Sequence, residues 1–263
     1  TEEWLKIRTL GIGGSDAGII AGCNPYRSIF ELWQEKRGEI PVREEESEVI
    51  HFGKVLEDVV RKEFIQRTGL MVRRKNSILR SKEYPFMIAD LDGVVSEFDG
   101  TYSIFEAFKN NDWKNGEIPK AYQLQVQHYL AVTGFQKAYI AVLVGGNKFY
   151  WTEIYRDEQF IKMLVSMESH FWHCVKTGEE PDVDASKATS LYLGTKYSNP
   201  KVGSIIDLDE QMLSAIEKYE QIKVELDSLT EQKQLIENQL KSALAENEAG
   251  RVGGHIIKWK PIV

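Results

Sequence analysis

Residues 89–109 read Ala-Asp-Leu-Asp-Gly-Val-Val-Ser-Glu-Phe-Asp-Gly-Thr-Tyr-Ser-Ile-Phe-Glu-Ala-Phe-Lys, and they predict a β-hairpin with an acid at each end. Asp99-Gly100 separates two short runs that are rich in β-branched and aromatic residues, which is a strong hairpin signal. Asp92 precedes the first run and Glu106 ends the second, so we expect the two carboxylates to meet. Two carboxylates on a sheet form a site for a hard divalent cation. The alternative is a pair of surface acids flanking an ordinary hairpin.

The composition is that of a folded protein of 263 residues, of which 42% are hydrophobic. This length is enough for one large domain, or for a domain with an appendage. The net charge of −7 at first argues against nucleic-acid binding. However, Leu208 to Glu248 carries ten acids and four lysines, which accounts for −6 of that charge. The remaining residues are nearly neutral, and a bound metal adds positive charge, so local DNA binding stays possible.

Cysteine content and hydropathy indicate the compartment. Cys23 and Cys174 are too few and too far apart for a zinc or iron–sulfur site. No apolar run reaches the roughly 18 residues of a transmembrane helix, and no basic-then-apolar signal segment opens the chain. We therefore expect a protein of the reducing cytoplasm that does not associate with a membrane.

A glycine-rich turn near the start of the chain is a candidate anion site. Gly11-Ile-Gly-Gly14 leads into a short predicted helix, with Ser15 or Asp16 as the expected N-cap. Free backbone N–H groups and the positive end of the helix dipole both favour an anion there. Arg8 nearby favours phosphate. An ordinary capped turn is the alternative.

Two longer predicted helices carry further candidates. The first runs from about Glu48 to Thr68, with apolar residues every three or four positions and Glu57 at the rim of that stripe. Glu57 either reaches water or faces a site at the edge of the core. The second runs from Lys120 to about Thr133 and carries Gln125 among three closely spaced glutamines. These glutamines either contact phosphate or a water, or lie on a wet face.

The chain divides into four predicted segments. Residues 1–180 form the main domain, 181–207 a turn-rich linker, 208–248 a helical segment and 249–263 a short strand or hairpin. A heptad seam with one polar position, Lys233, runs through the helical segment. The seam predicts one long helix, or two that fold back on each other. It could mediate oligomerisation, hold a partner or pack back on the main domain.

A series of short motifs runs through the first half of the chain: Trp4-Leu-Lys-Ile-Arg8, Gly11-Ile-Gly-Gly-Ser15-Asp16-Ala17, Asn24-Pro25-Tyr26, Phe52-Gly53, Leu56-Glu57, Asp92-Gly93, Ile104-Phe105-Glu106, Ile118-Pro119, Tyr122, Gln125-Val126-Gln127 and Tyr129-Leu-Ala-Val-Thr-Gly134. Together and in this order they resemble the YqaJ-like viral recombinase family. That family is related to lambda exonuclease and belongs to the PD-(D/E)XK nuclease superfamily. The resemblance implies an α/β fold with a mixed central β-sheet flanked by helices, extended here by a long C-terminal helical or coiled-coil segment.

The resemblance also implies an activity, a metal and a set of site residues. The activity would be a Mg2+-dependent exonuclease, with Mn2+ possible, that resects linear double-stranded DNA from 5′ to 3′ for phage-type single-strand annealing recombination. The metal would be held by Glu57, Asp92, Glu106 and the backbone carbonyl of Ala107. Gln125 would assist near the nucleophilic water. Arg8 and Ser15 would bind the 5′ phosphate of the DNA end.

By the same resemblance, a single-strand annealing protein is the expected partner and a ring-shaped trimer the expected assembly, in a bacterial or phage-infected cell. A restriction-like or nicking endonuclease on the same core is one alternative. A catalytically inactive DNA-binding module is another.

One departure from the family pattern concerns the residue after Ala107. The family has Glu, any residue, then Lys, whereas here Phe108 occupies the lysine position and Lys109 follows it. Residues 106 and 108 share a face of a regular strand, so Lys109 fits the role only if a bulge re-aims it. Either a few residues following Ala107, the lysine among them, are missing from this sequence, or the lysine is lost. We assign no catalytic lysine.

Overall fold

The predicted hairpin lies within a five-stranded sheet in the computed structural model, which describes residues 2–42, 48–109 and 117–259. The strands of the first compact unit (Thr1–Asn199) are β1 (Met71–Arg73), β2 (Leu79–Arg80), β3 (Ile88–Ala89), β4 (Gly93–Ser96), β5 (Tyr102–Lys109), β6 (Lys137–Val144) and β7 (Lys148–Tyr155). The sheet order is β1-β4-β5-β6-β7, and β2 pairs separately with β3. β5 and β6 are parallel and the other pairs antiparallel, which confirms the predicted mixed sheet.

Helices surround this sheet in the same unit. They are α1 (Glu2–Thr9), α2 (Gly14–Ile20), α3 (Ile29–Lys36), α4 (Glu48–Thr68), α5 (Lys120–Thr133), α6 (Glu158–Thr177) and α7 (Lys187–Lys196). α5 lies between β5 and β6 in the chain, so it forms the crossover that a parallel strand pair requires.

Successive side chains of β6 point to opposite faces of the sheet, so β6 contributes to the apolar core on both faces. Ile140 and its neighbours two residues away pack with apolar side chains of α5 and α6, including Leu130 and Val165. Tyr139 lies on the opposite face and packs with Phe64 of α4. Burial on both faces explains why the buried part of β6 is an almost continuous apolar run.

The segment predicted to be a linker contains a helix. Ser186 is the N-cap of α7, where its hydroxyl accepts a hydrogen bond from the Thr189 N–H at 3.1 Å. Tyr192 of α7 stacks on Phe30 of α3 with ring centroids 5.2 Å apart. The first unit therefore extends to Asn199, beyond the boundary at residue 180. The turn-forming residues on either side of α7 concealed this short helix in the sequence.

The second unit (Pro200–Val263) contains α8 (Gln211–Leu244), β8 (Ala249–Val252) and β9 (His255–Lys258). α8 is one continuous helix of 34 residues, so the alternative of a helical hairpin is wrong. Within this unit, the apolar side chains of the heptad seam are exposed, including Leu240 at 38%. β8 and β9 pair antiparallel across Gly253-Gly254, as the predicted C-terminal hairpin requires. Among the described residues, no helix has the length and apolarity needed to cross a membrane.

Candidate metal centre and phosphate-binding turn

Asp92 and Glu106 meet at one end of the β4–β5 pair. The register pairs Gly93 with Phe105, which places the two acids opposite each other at the next position. The Asp92 N–H donates to Glu106 Oε1 at 3.4 Å, and the Ala107 N–H donates to Asp92 Oδ2 at 2.8 Å. The hairpin therefore brings the two carboxylates together as its sequence predicts.

Burial and mutual repulsion make this acid pair hard to ionise. Burial raises the pKa of Asp92 to about 7, the negative charge of Glu57 adds to the rise, and the Ala107 N–H opposes it. Burial, followed by the charge of Asp92, raises the pKa of Glu106 well above its usual range. No ion pair among the described residues involves either carboxylate. A bound cation would relieve both the repulsion and the burial penalty.

Gln125 of α5 contacts the acid pair directly. Its Nε2 donates to Glu106 Oε2 at 3.2 Å. Gln123 and Gln127 have other partners: Gln123 donates to the Ile118 carbonyl at 2.9 Å and Gln127 to the Tyr155 carbonyl at 2.8 Å. Of the three glutamines, Gln125 is therefore the one placed to act at the acid pair.

Glu57 of α4 lies near the acid pair without joining it. Its charge contributes to the raised pKa of Asp92, and its Oε1 lies 3.9 Å from Nη2 of Arg74. Within the described residues, no group of three or more Asp, Glu, His or Cys side chains is close enough to hold a metal ion. Two of the predicted ligands are thus assembled and the third is adjacent. Ala107 contacts Asp92 through its N–H, and the role of its carbonyl stays a prediction.

The acid pair nevertheless fits a hard divalent cation. Its donors are carboxylate oxygens, which Mg2+ and Mn2+ prefer. Glu106 is buried and Asp92 is partly buried, and neither carboxylate has an ion-pair partner among the described residues. This arrangement is typical of a functional site rather than of a structural ion pair.

β5 carries an aromatic residue at the position of the family lysine. The register with β6 runs without a bulge from Ile104 opposite Ala138 to Lys109 opposite Leu143. Phe108 stacks on Tyr122 of α5 with ring centroids 4.0 Å apart. The bulge that could re-aim Lys109 is therefore absent from β5. The following residues, 110–116, lie outside the described residues.

The glycine-rich turn is capped differently from the prediction. α2 begins at Gly14, with Gly13 rather than Ser15 or Asp16 at the N-cap. Asp16 is the third residue of the helix, and its Oδ2 accepts a hydrogen bond from the Gly13 N–H at 2.9 Å. The acid therefore reaches back to the turn from inside the helix, as the glutamate of a capping box does.

Gly14 brings this turn against the helix that carries Gln125. A Cβ at position 14 would lie 2.5 Å from the ring of Tyr129 and 2.9 Å from Cγ of Gln125. Only glycine permits that approach. The turn and the acid pair, which are far apart in the sequence, therefore share α5 as a common support.

Arg8 and Ser15 lie on either side of the turn. Arg8 Nη2 is 3.8 Å from Asp16 Oδ1, and Ser15 is exposed. Lys36 of α3 has a buried ammonium that lies 2.6 Å from Asp16 Oδ2 and donates to the Arg8 carbonyl at 2.7 Å. Burial alone would raise the pKa of Asp16, but the charges of Lys36 and Arg8 outweigh it and lower that pKa. Asp16 therefore ties α1, α2 and α3 together around the turn.

A buried histidine anchors the strand that leads into Asp92. His128 of α5 faces Glu168 Oε1 of α6 at 2.8 Å through Nδ1, and the Ile88 carbonyl of β3 at 2.9 Å through Nε2. Both ring nitrogens face acceptors, which suits an imidazolium. Burial opposes that charge, yet Glu168 raises the pKa of His128. The ion pair joins α5 to α6, and the hydrogen bond to the Ile88 carbonyl holds β3 at a defined position relative to α5.

Sequence reasoning missed four residues of this region: Asp90, Tyr129, Lys36 and Arg74. Asp90 precedes Asp92 by two positions, and its charge raises the pKa of both Asp92 and Glu106. Tyr129 follows Gln125 by one helical turn, a spacing that could have identified it. Lys36 and Arg74 gave no local signal, because their acidic partners come from other elements.

The fold is similar to those of solved exonucleases. The alkaline exonuclease LHK-Exo from Laribacter hongkongensis superposes with a TM-score of 0.58 at 20% identity, covering 75% of this chain and 98% of that one. The same enzyme in complex with dAMP gives a TM-score of 0.57 at 21% identity, with the same coverage. A phage-related exonuclease from Haemophilus somnus 129PT gives 0.50 at 14% identity, covering 66% of this chain and 99% of that one.

The chain belongs to the YqaJ-like viral recombinase family. The model of the YqaJ-like viral recombinase domain matches residues 3–136, which include the glycine-rich turn, the acid pair and α5. The uncharacterised protein YqaJ of Bacillus subtilis (strain 168) is 43% identical over 270 aligned residues, covering 100% of this chain and 84% of the relative. The family resemblance predicted from the motifs is confirmed.

Proposed function

We propose that this protein is a divalent-metal-dependent deoxyribonuclease that degrades linear double-stranded DNA from its 5′ ends. The observation that carries the proposal is the pair formed by the partly buried Asp92 and the buried Glu106, whose pKa values are raised and whose charge favours a bound cation. The pair lies next to Gln125, within a fold similar to those of solved exonucleases.

In this proposal Asp92, Glu106 and Glu57 hold Mg2+, with Mn2+ as a substitute, and the Ala107 carbonyl completes the set. When bound there, a divalent ion would supply a water of lowered pKa and positive charge for the scissile phosphate. The Ala107 N–H orients the carboxylate of Asp92, and the amide of Gln125 orients that of Glu106. These two contacts reduce the reorganisation that the acids need before they act.

Selectivity for the DNA end is proposed for Arg8 and Ser15. α2 has only seven residues, so the two side chains, rather than the helix dipole, carry this part of the proposal. A guanidinium and a hydroxyl suit a terminal 5′ phosphate, which carries more negative charge than an internal one. The packing of Gly14 on α5 supports a position for this pocket close to the acid pair.

The proposal also covers the role of this activity in recombination and the oligomeric assembly of the protein. The family membership supports 5′ to 3′ resection for single-strand annealing, with an annealing protein as partner and a ring-shaped trimer as the assembly. We assign no role to α8. Deleting Leu208 to Val263 tests whether this segment mediates oligomerisation or holds the annealing protein. Size-exclusion chromatography measures the first and a binding assay with an annealing protein measures the second. Unchanged size and binding would exclude the helix from both roles.

The test is a gel assay with Mg2+ on two DNA molecules, one linear with 5′ phosphates and one closed and circular. We expect that only the linear DNA is degraded and that EDTA inhibits this degradation completely. Asp92→Ala is the inactive control, and Asp182→Ala, which changes an exposed acid, is the active one.

Two other results would replace the proposal. Cutting of the circle would establish an endonuclease on the same core. No cutting of either DNA, with Mn2+ also tried, would leave a DNA-binding module. Phe108 is the specific observation that favours this second candidate, because it stacks on Tyr122 where the family has its lysine.

A further inference from the structure

Three consecutive cations begin at the last residue of β1, near the acid pair. They are Arg73, Arg74 and Lys75. β1 pairs antiparallel with β4, with Arg73 opposite Val94, so the chain next passes the end of β4 from which Asp92 extends. This run therefore lies beside the candidate metal centre, although its sequence lacks any nuclease motif.

A close approach between β1 and β4 fixes the position of this run. A Cβ at Gly93 would lie 2.7 Å from Cγ1 of Val72 and 3.1 Å from the carbonyl oxygen of Arg73. Only a residue without a side chain allows β1 to come so near the residue after Asp92. The absence of a side chain at Gly93 therefore allows the run Arg73 to Lys75 to lie close to Asp92.

The guanidinium of Arg74 lies at the rim of the acid site. Its Nη2 is 3.1 Å from Asp58 Oδ1 and 3.9 Å from Glu57 Oε1. Its positive charge acts on Asp92 against the burial that raises the pKa of that acid. The side chain is 47% exposed, so a solvent-borne ligand can reach it.

Asp58 does not require Arg74 as a partner. Arg61 and Lys62, one turn further along α4, also pair with Asp58. An exposed ion pair of this kind contributes only about 0–1 kcal/mol to stability. Stabilising Asp58 therefore does not account for an arginine at this position.

We propose that Arg74 binds a backbone phosphate of the DNA strand that the acid pair acts on. This inference rests on the proposed nuclease function. When ionised, Asp90, Asp92, Glu57 and Glu106 carry more negative charge than one divalent ion offsets, so a further cation beside them favours binding of a polyanion there. The planar fork of arginine matches phosphate oxygens, and β5 has Phe108 rather than a cation beside the acid pair.

Arg67 provides a matched control. It lies on α4, pairs with Glu63 at 2.7 Å, and is 51% exposed, against 47% for Arg74. Its guanidinium lies over the ring of Phe149, and no described contact connects it with the acid pair. Arg67→Ala therefore removes an equally exposed, equally paired charge without affecting the candidate site.

The experiment measures binding of a short fluorescent duplex by anisotropy over a range of salt concentrations. Ca2+ replaces Mg2+ so that a hard cation is present, and a phosphorothioate backbone prevents cleavage. We expect Arg74→Ala to weaken binding about tenfold, as the loss of one charged hydrogen bond would, while Arg67→Ala has no effect. The slope of log K against log salt should fall by about 1 for Arg74→Ala. Arg74→Lys should restore the slope and part of the affinity.

Cleavage of linear DNA in Mg2+ separates this inference from the proposed function. If wild-type protein cleaves but Arg74→Ala binds with unchanged affinity and slope, the inference is wrong and the nuclease stands. If wild-type protein binds but does not cleave, the nuclease is wrong, and the difference between Arg74→Ala and Arg67→Ala still decides the phosphate contact. If wild-type protein does not bind DNA, both are wrong.

Discussion

Asp16 and Glu106 are buried carboxylates and Asp92 a partly buried one in the same unit, yet Asp16 has cationic partners and, among the described residues, the pair Asp92 and Glu106 does not. Asp16 has the buried ammonium of Lys36 at 2.6 Å and the guanidinium of Arg8 nearby, and its pKa is lowered. Asp92 and Glu106 have each other, and their pKa values are raised. Burial penalises all three acids, so the difference comes from the partner.

The comparison separates an acid that stabilises the fold from acids that are available for chemistry. The chain itself supplies the counter-charge of Asp16, so that acid needs nothing from solution. The counter-charge of the acid pair has to come from solution, as protons or as a metal ion. A site that needs an external cation is a stronger functional candidate than a buried acid that is already paired.

The largest effect is expected on cleavage when either member of the acid pair is truncated. Asp92→Ala or Glu106→Ala should lower the rate of linear DNA degradation by at least about 10⁴-fold, equivalent to about 5.5 kcal/mol of barrier. Each change removes a proposed metal ligand and leaves the apolar core intact. The assay is single-turnover cleavage in Mg2+, with circular dichroism to confirm folding. Normal cleavage by either variant would reject the site.

Removing the cationic partner of Asp16 should instead lower the stability of the fold. Lys36→Met leaves Asp16 buried without its main partner, which we expect to cost about 3–5 kcal/mol of unfolding free energy. Urea denaturation measures this cost. Adding Asp16→Asn should recover part of the loss, because the uncompensated charge is then gone. A loss below about 1 kcal/mol in the single variant would show that Lys36 does not neutralise Asp16.

Arg8 contacts Asp16 and is also proposed to bind substrate, so its substitution tests whether it acts in structure, in binding or in both. Arg8→Ala should slow degradation of 5′-phosphorylated ends about tenfold, the cost of one charged hydrogen bond. Ends with a 5′ hydroxyl should be nearly unaffected, because they lack the anion that Arg8 would bind. Rates on the two substrates are measured side by side. An equal loss on both would assign Arg8 to structure alone.

The smallest effect is a gain in stability when the charge of Asp92 is removed. The pKa of Asp92 in the folded state, about 7, lies above its ordinary value of 3.8. The folded state therefore holds a proton that the unfolded chain has lost, and ionising Asp92 costs stability as pH rises through about 7.

Asp92→Asn removes that cost. At pH 8 without metal it should stabilise the protein by about 1 kcal/mol, a rise in Tm of roughly 2–4 °C. The gain should shrink as pH falls below about 7 and approach zero near pH 3.8, where the unfolded chain also begins to hold the proton. Thermal melts over this pH range measure it. Mg2+ should raise the Tm of the wild type at pH 8 more than that of the variant. A lower Tm for Asp92→Asn at pH 8 would contradict an uncompensated acid pair.

Local chemistry explains which features the sequence could predict. Asp99-Gly100 specifies a turn from adjacent residues, and Gly100 has the positive φ of 85° that such a turn uses. The hairpin and the meeting of Asp92 with Glu106 follow directly. The heptad spacing likewise predicted a helix over most of 211–244, because a helix of that length depends mainly on local hydrogen bonds.

Features that depend on distant partners escaped prediction. The N-cap was assigned to Ser15 or Asp16 on residue preference, but Asp16 lies inside the helix, where it also meets Lys36. α7 was hidden because it is held in place by packing on α3, as in the stack of Tyr192 on Phe30. Arg74 carried no motif, since its role depends on how closely β1 approaches Gly93.

The sequence by itself determined the family through its motifs, the mixed sheet through that family resemblance, and the acids at the ends of the hairpin through the turn chemistry of neighbouring residues. Only the tertiary structure decided which buried acids are neutralised within the chain. The order of residues does not reveal that Lys36 reaches Asp16 whereas no described cation pairs with Asp92 or Glu106. Coulomb interactions act through distance in space, and the packing of helices and strands sets those distances.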